Sequence, residues 1–177
     1  MSWVPLVSEE KASPEVKRQY DFLRENWAFV PNYFYALGRD PQRLQDQINL
    51  FTNAMFNDSG LPRILKEQVA LVVSGLNTSS YCVAAHMEIL GRLGVDKALG
   101  RKLATNYASA PVEPRVMALF RFAEKLTRQP ADMEKADVER LREAGWDDAA
   151  IFDTVLVASL YALANRFSSG LGLLPDF

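Results

Sequence analysis

The sequence predicts an all-α fold, and three observations predict it. No stretch sustains an alternation of apolar and polar residues, no Asn-Gly or Asp-Gly hairpin turn occurs, and helix start and stop signals recur from end to end. Of 177 residues, 49% are apolar and 24% charged, the balance of one globular domain spanning residues 1–177 with a substantial core.

The elements follow in order. Ser13-Pro14 supplies a cap and a first-turn proline for a helix to about Asn26, with Val16, Tyr20 and Leu23 on one face. Asp40-Pro41 repeats that signal, and the helix it opens carries Leu44, Ile48, Leu50, Phe51 and Met55 before Asn57-Asp58-Ser59-Gly60 stops it. A third helix runs from Leu61-Pro62 to about Leu76 and is apolar almost all round, which places it at the centre. The polar break from Asn77 to Ser80 offers hydroxyls to cap a fourth helix, which starts near Tyr81 and ends before Gly91 or Gly94. Further helices are expected from Asp96 to about Thr105, from Pro114 to about Arg128 and from about Glu134 to Glu143, with a long last one from near Asp147 to about Ser168. The expectation is about seven to nine helices joined by breaks too short to be interdomain linkers.

Charge excludes some partners. Twenty basic against twenty-two acidic residues leave a net charge of -2 with no basic stripe, so neither nucleic acid nor an anionic membrane is an expected partner. The longest apolar stretch, Ala149 to Ala164, is interrupted by Asp153 and falls short of the roughly 20 residues of a bilayer span, so it reads as a buried helix. Met1-Ser2-Trp3-Val4-Pro5 has neither the basic nor the apolar region of a signal peptide, and a cytoplasmic location is expected. Glu67 precedes Ser79 and Cys82 by the same offsets at which Asp153 precedes Asn165 and Ser168. Two buried helices that each carry an acid near the start explain this more simply than an internal duplication.

The chemistry concentrates in one segment. Cys82 and His86 are the only cysteine and the only histidine, and they stand four residues apart. On a helix that spacing puts them on one face, where the imidazole can take the thiol proton or pair with the thiolate. Cys82 also falls in the first turn, where free N–H groups favour negative charge. Glu67 lies inside the apolar third helix and needs a donor, and a chain reversal at the polar break brings it toward His86 as an orienting third group. Tyr81 adds a hydroxyl. From the residues alone, an inert buried thiol beside a structural histidine is the competing reading. One cysteine, one histidine and one acid make a poor metal site, and no Gly-x-Gly-x-x-Gly or Walker-type loop occurs, so no metal and no cofactor are expected.

The stretch from Leu61 to His86, LPRILKEQVALVVSGLNTSSYCVAAH, resembles the core motif of the AhpD-like alkylhydroperoxidase and carboxymuconolactone decarboxylase superfamily, here within residues 61–94. That motif is a Glu, eleven residues, Cys-x-x-Cys, three residues and a His. Glu67, Cys82 and His86 stand at the acid, second cysteine and histidine, while Ser79 stands where the first cysteine belongs. Phe29-Val30-Pro31-Asn32-Tyr33-Phe34 with Ala36-Leu37 and Pro41, and later Asp137 to Arg142, Gly145 and Asn165-Arg166, are similar to the peroxidase-related branch. The likeness spans about residues 14 to 172.

The resemblance implies an AhpD-like helical fold with the motif on two antiparallel helices, in a homo-oligomer such as a trimer or hexamer. In two-cysteine members the pair cycles between dithiol and disulfide as peroxide is reduced, with the Glu and His relaying protons. Ser79 removes that cycle, since a hydroxyl cannot resolve a sulfenic acid. The expectation is therefore a one-cysteine peroxidase-like enzyme in which Cys82 attacks the peroxide, His86 handles the proton and Glu67 orients it. Ser79 would bond the thiolate or cap the helix, Tyr81 would support, and an external thiol would be the reductant. Two rivals stand beside it. One is a lyase using His86 and Glu67 as acid and base, with Arg63, Arg115 or Arg166 on a substrate carboxylate; the other is a non-catalytic helical oligomer that binds a small ligand.

Overall fold

A computed structural model describes residues 2–57 and 59–177, so Met1 and the Asp58 of the expected stop signal lie outside the described residues. Those residues form nine α-helices, with no strand among them: α1 (Pro14–Trp27), α2 (Asn32–Leu37), α3 (Pro41–Phe56), α4 (Arg63–Leu76), α5 (Ser80–Arg92), α6 (Lys97–Asn106), α7 (Pro114–Arg128), α8 (Lys135–Glu143) and α9 (Asp148–Gly170).

Four helix starts are built from the capping chemistry that the sequence advertises. Ser13 Oγ accepts from the Val16 N–H of α1, Asp40 from Arg43 of α3, Asp96 from Ala98 and Leu99 of α6, and Asp147 from Ala150 of α9. Each bond satisfies an amide that has no partner inside its helix. The short α2 has no such signal and is not expected from the sequence. Six residues are too few to nucleate alone, and it is held by burial of Tyr33, Phe34 and Ala36.

The third expected helix is central. Every residue of α4 from Lys66 to Ser74 is buried, and α5, α6, α7 and α9 all pack on it. The approach of α6 is backbone to backbone, because a Cβ on Gly75 would stand 2.1 Å from the carbonyl oxygen of Ala104. Helix α9 runs for 23 residues and is long and apolar enough to cross a bilayer, unlike the shorter stretch read from the sequence. Its inner face instead packs on α4, α5 and α7.

The repeated offsets do not reflect a repeated unit. Glu67 and Cys82 lie on two helices, whereas Asp153 and Ser168 lie on the single helix α9. Asp153 serves the loop before α4, accepting from the Ser59 hydroxyl (2.6 Å) and the Leu61 N–H (2.9 Å) with Lys66 Nζ 3.5 Å away.

The reversal between α4 and α5 sets the position of everything downstream. The Ser79 N–H reaches back to the Ser74 carbonyl and the Thr78 N–H to that of Gly75, both at 3.0 Å, the pattern that closes a helix through a left-handed residue. Thr78 holds that conformation with φ at 53°. A β-branched residue pays about 1–2 kcal/mol for it, and glycine pays no such steric cost. Thr78→Gly is expected to raise stability by up to about 1 kcal/mol in urea titration, the entropy of the freer unfolded chain taking back the rest. A lower stability would mean that the bond from Thr78 Oγ1 to the Asn77 carbonyl (2.8 Å) outweighs the strain.

Candidate active site

Helix α5 folds back along α4 and brings Glu67 and His86 together. His86 Nδ1 stands 2.5 Å from Glu67 Oε2, and both side chains are almost completely buried. The other carboxylate oxygen accepts from Arg63 one turn earlier on α4, with Nε at 2.7 Å and a terminal nitrogen at 2.5 Å. Burial alone would raise the Glu67 carboxyl, but the charge and hydrogen bond of His86, followed by those of Arg63, outweigh it and hold the group below the usual carboxylate range. Glu67 is therefore ionised. An ionised acceptor at Nδ1 fixes the proton on that nitrogen and leaves Nε2 with the lone pair when the ring is neutral. The guanidinium of Arg63 lies 3.8 Å over the Phe56 ring, which Trp27 stacks against in turn.

Cys82 sits in the first turn of α5, but its hydrogen-bond partner is not the one the spacing predicts. No hydrogen bond joins the sulfur to the imidazole among the described residues, because Glu67 draws Nδ1 toward α4. Sγ instead lies 3.6 Å from Ser168 Oγ of α9. Ser168 spends its proton on the Ala164 carbonyl at 2.8 Å, which leaves its oxygen to accept from Cys82 and from Ser79 Oγ at 3.3 Å. Ser79 thus neither caps α5 nor bonds the sulfur directly. Asn165 extends the buried network, donating to Ser74 Oγ (3.0 Å) and accepting from Asn77 (2.9 Å).

Cys82, His86, Glu67, Arg63, Tyr81 and Tyr161 border one cavity of about 570 Å³, whose walls include Trp27, Phe29, Phe51, Phe56 and Phe177. The volume and the mix of aromatic wall with a few convergent polar groups are those of a small-molecule site. The Tyr81 hydroxyl is turned away from the thiol. It donates to Asp176 (2.6 Å) and accepts from the Tyr33 N–H (3.1 Å), while Asp176 also accepts from the Asn32 N–H (2.9 Å). These bonds hold the segment after α9 over the cavity, where Phe177 meets Phe29. Burial pushes the Asp176 carboxyl up, against the two donors that favour its charge.

Sequence reasoning did not single out Tyr161, whose ring meets the His86 imidazole edge to face with centroids 4.4 Å apart. The one available signal was a phenol inside a long apolar run, which must find a polar use. Ser168 did surface through the offset it shares with Cys82, without a role. Of the three arginines considered for a substrate carboxylate, only Arg63 borders the cavity. Arg115 lies on the ring of Trp146 and Arg166 donates to its own helix.

Comparison with known proteins places this arrangement in a family. Residues 42–125 match the carboxymuconolactone decarboxylase family. The chain is 31% identical to an uncharacterized peroxidase-related protein from Silicibacter sp. TM1040, with a TM-score of 0.88 over 97% of this chain and 92% of that one. A peroxidase-related protein from Ralstonia eutropha JMP134, described as an alkylhydroperoxidase AhpD core, is 27% identical with a TM-score of 0.91 over 99% and 92%. The debrominase Bmp8, solved in complex with 2,3,4-tribromopyrrole, shares the fold at 18% identity and a TM-score of 0.82 over 99% and 94%. No curated protein matches the chain. With the helical architecture, the Glu67, Cys82 and His86 spacing and these likenesses together, the chain belongs to the AhpD-like and carboxymuconolactone decarboxylase superfamily.

Proposed function

We propose that this protein is a one-cysteine peroxidase. The observation that carries the reading is a lone cysteine and a histidine, the latter fixed by an ionised Glu67, bordering the same aromatic-walled cavity. A peroxide seated there bridges Sγ and the imidazole. His86 takes the thiol proton through one bridging oxygen, a reach open to a general base. Sulfur attacks the terminal oxygen of RO–OH, the O–O bond breaks, and His86 returns the proton to RO⁻. The products are Cys–SOH and ROH. An external thiol then displaces water to form a mixed disulfide, and a second one releases Cys82 as its thiol. No second cysteine exists to do this within the chain.

The lyase rival needs a guanidinium free to hold a carboxylate. The three arginines that border the cavity are already engaged, Arg63 by Glu67 through two nitrogens, Arg24 by Glu9 and Asp21, and Arg92 by Glu88, while neither Arg115 nor Arg166 borders it. Assembly into a homo-oligomer belongs to the same proposal. It is supported by Phe152, Val155 and Leu163, which leave an apolar stripe exposed along α9. A second substrate reading draws on the aromatic walls. A flat halogenated ring of the kind bound by the debrominase suits them: the thiol would then attack bromine rather than oxygen, the C–Br bond would break with the ring carbon taking the proton through His86, and an external thiol would displace bromide from the resulting S–Br.

Three measurements test these readings. Cys82→Ala should abolish consumption of cumene hydroperoxide with a small thiol as reductant, and unchanged turnover in that variant would end the peroxidase reading. Incubation with 2,3,4-tribromopyrrole and thiol should release bromide only if the halogen reading holds; silence there with active peroxide turnover removes it. Glu67→Gln should slow peroxide turnover about 10²–10⁴-fold, the contribution of a general base that has lost the group fixing its tautomer. It should also cost about 1–3 kcal/mol of stability at neutral pH. Because folding holds the Glu67 carboxyl below its ordinary range, its contribution is complete above that range and is lost as pH falls through the lowered value. The stability gap between wild type and Glu67→Gln in urea should therefore narrow in acid, and a gap that widens would contradict the assignment.

A further inference from the structure

We propose that Tyr161 is a catalytic residue of this site: its phenol donates a hydrogen bond to the oxygen that leaves when the peroxide bond breaks. The proposal rests on the peroxidase reading and extends it to the transition state.

The chain has six tyrosines, and five of them place the hydroxyl on a protein acceptor. Tyr20 donates to the Val7 carbonyl, Tyr33 to Gln47, Tyr35 to Glu9, Tyr81 to Asp176 and Tyr107 to Glu124. Tyr161 is the exception among the described residues. It is 6% exposed, and no described residue pairs with its hydroxyl. That oxygen is also absent from the fully enclosed unpaired atoms, which are Gln19 Oε1 and Thr52 Oγ1. Tyr161 borders the cavity, and on this proposal its hydroxyl faces the space where substrate would sit. A phenol in this position is free to donate to an acceptor that arrives with the substrate.

The ring is held where such a donor is needed. It meets His86 edge to face at 4.4 Å and Phe51 nearly perpendicular at 6.0 Å, so packing fixes its plane without using the hydroxyl. Burial, followed by the nearby Glu67 carboxylate and Cys82 sulfur, pushes its ionisation well above the ordinary range. The phenol therefore keeps its proton and has it to donate. In the reaction, S–O forms and O–O breaks as before, and the thiol proton still reaches RO⁻ through His86. Tyr161 stabilises the charge on RO⁻ until that proton arrives, as a preorganised oxyanion donor does.

The test is Tyr161→Phe, which removes the oxygen and keeps both ring contacts. Single-turnover sulfenic acid formation at Cys82 is followed with cumene hydroperoxide and with perbenzoic acid, whose carboxylate leaves without help. The expected result is a loss of about tenfold or more with cumene hydroperoxide. The loss with perbenzoic acid should stay within about twofold, with peroxide affinity and melting temperature unchanged. Equal rates in variant and wild type overturn the Tyr161 assignment and leave the peroxidase reading standing, and so does an equal slowing with both oxidants, which marks a structural role. A wild-type protein that neither oxidant sulfenylates overturns both.

Discussion

A carboxylate in the middle of an apolar helix has to be neutralised where it stands, and much of this fold follows from doing so for Glu67. Each of its oxygens has its own cation or donor. Arg63 reaches one from the same helix, and His86 reaches the other from the next. The second contact is possible only if α5 returns along α4 in one register. That register is set by the three-residue reversal around Thr78 and by the backbone bonds that close α4 onto it. A one-residue slip would rotate His86 about 100° around its helix and leave one oxygen of a buried carboxylate without its donor, a cost of about 1–3 kcal/mol. The pair thus fixes the helices, and the helices fix which face Cys82 occupies.

The same interaction decides the chemistry available to the imidazole. With Nδ1 committed to Glu67, the ring has one working nitrogen and one orientation, and the edge of Tyr161 closes off rotation from the side of α9. A histidine held this way is a different reagent from one paired to sulfur. On the proposed chemistry it serves an incoming molecule rather than standing as a permanent counter-ion.

What could be read from the chain divides along physical lines. Helix starts were legible because capping is local: a Ser, Asp or Pro within three residues of a first amide carries its own signal, as at Ser13, Asp40 and Asp147. The short α2 was not, since burial of Tyr33 and Phe34 and not any local preference holds it. Cys82, His86 and Glu67 were legible through spacing, because two of them share a helix and the third sits one reversal away. Ser168 and Tyr161 reach the same site from α9, about eighty residues further along. Nothing local marks such a meeting. For the same reason Ser79 looked like a cap. Its hydroxyl is drawn off by a serine that only the tertiary fold brings near.

Ser79 also changes how the loss of the first motif cysteine should be understood. It is fully buried and built into a hydroxyl chain through Ser168 to Cys82, with Asn165, Ser74 and Asn77 continuing the network. A position so completely buried is an integrated part of the core, and the sulfur beside it is surrounded by protein on that side. Cys82 itself is 4% exposed, so the aromatic cavity is the approach left to any molecule that is to meet it. On the proposed chemistry, substrate and reductant must then use one entrance in turn. The peroxide product has to leave before the thiol enters, which imposes an alternating order of two half-reactions on a site with no resolving group of its own.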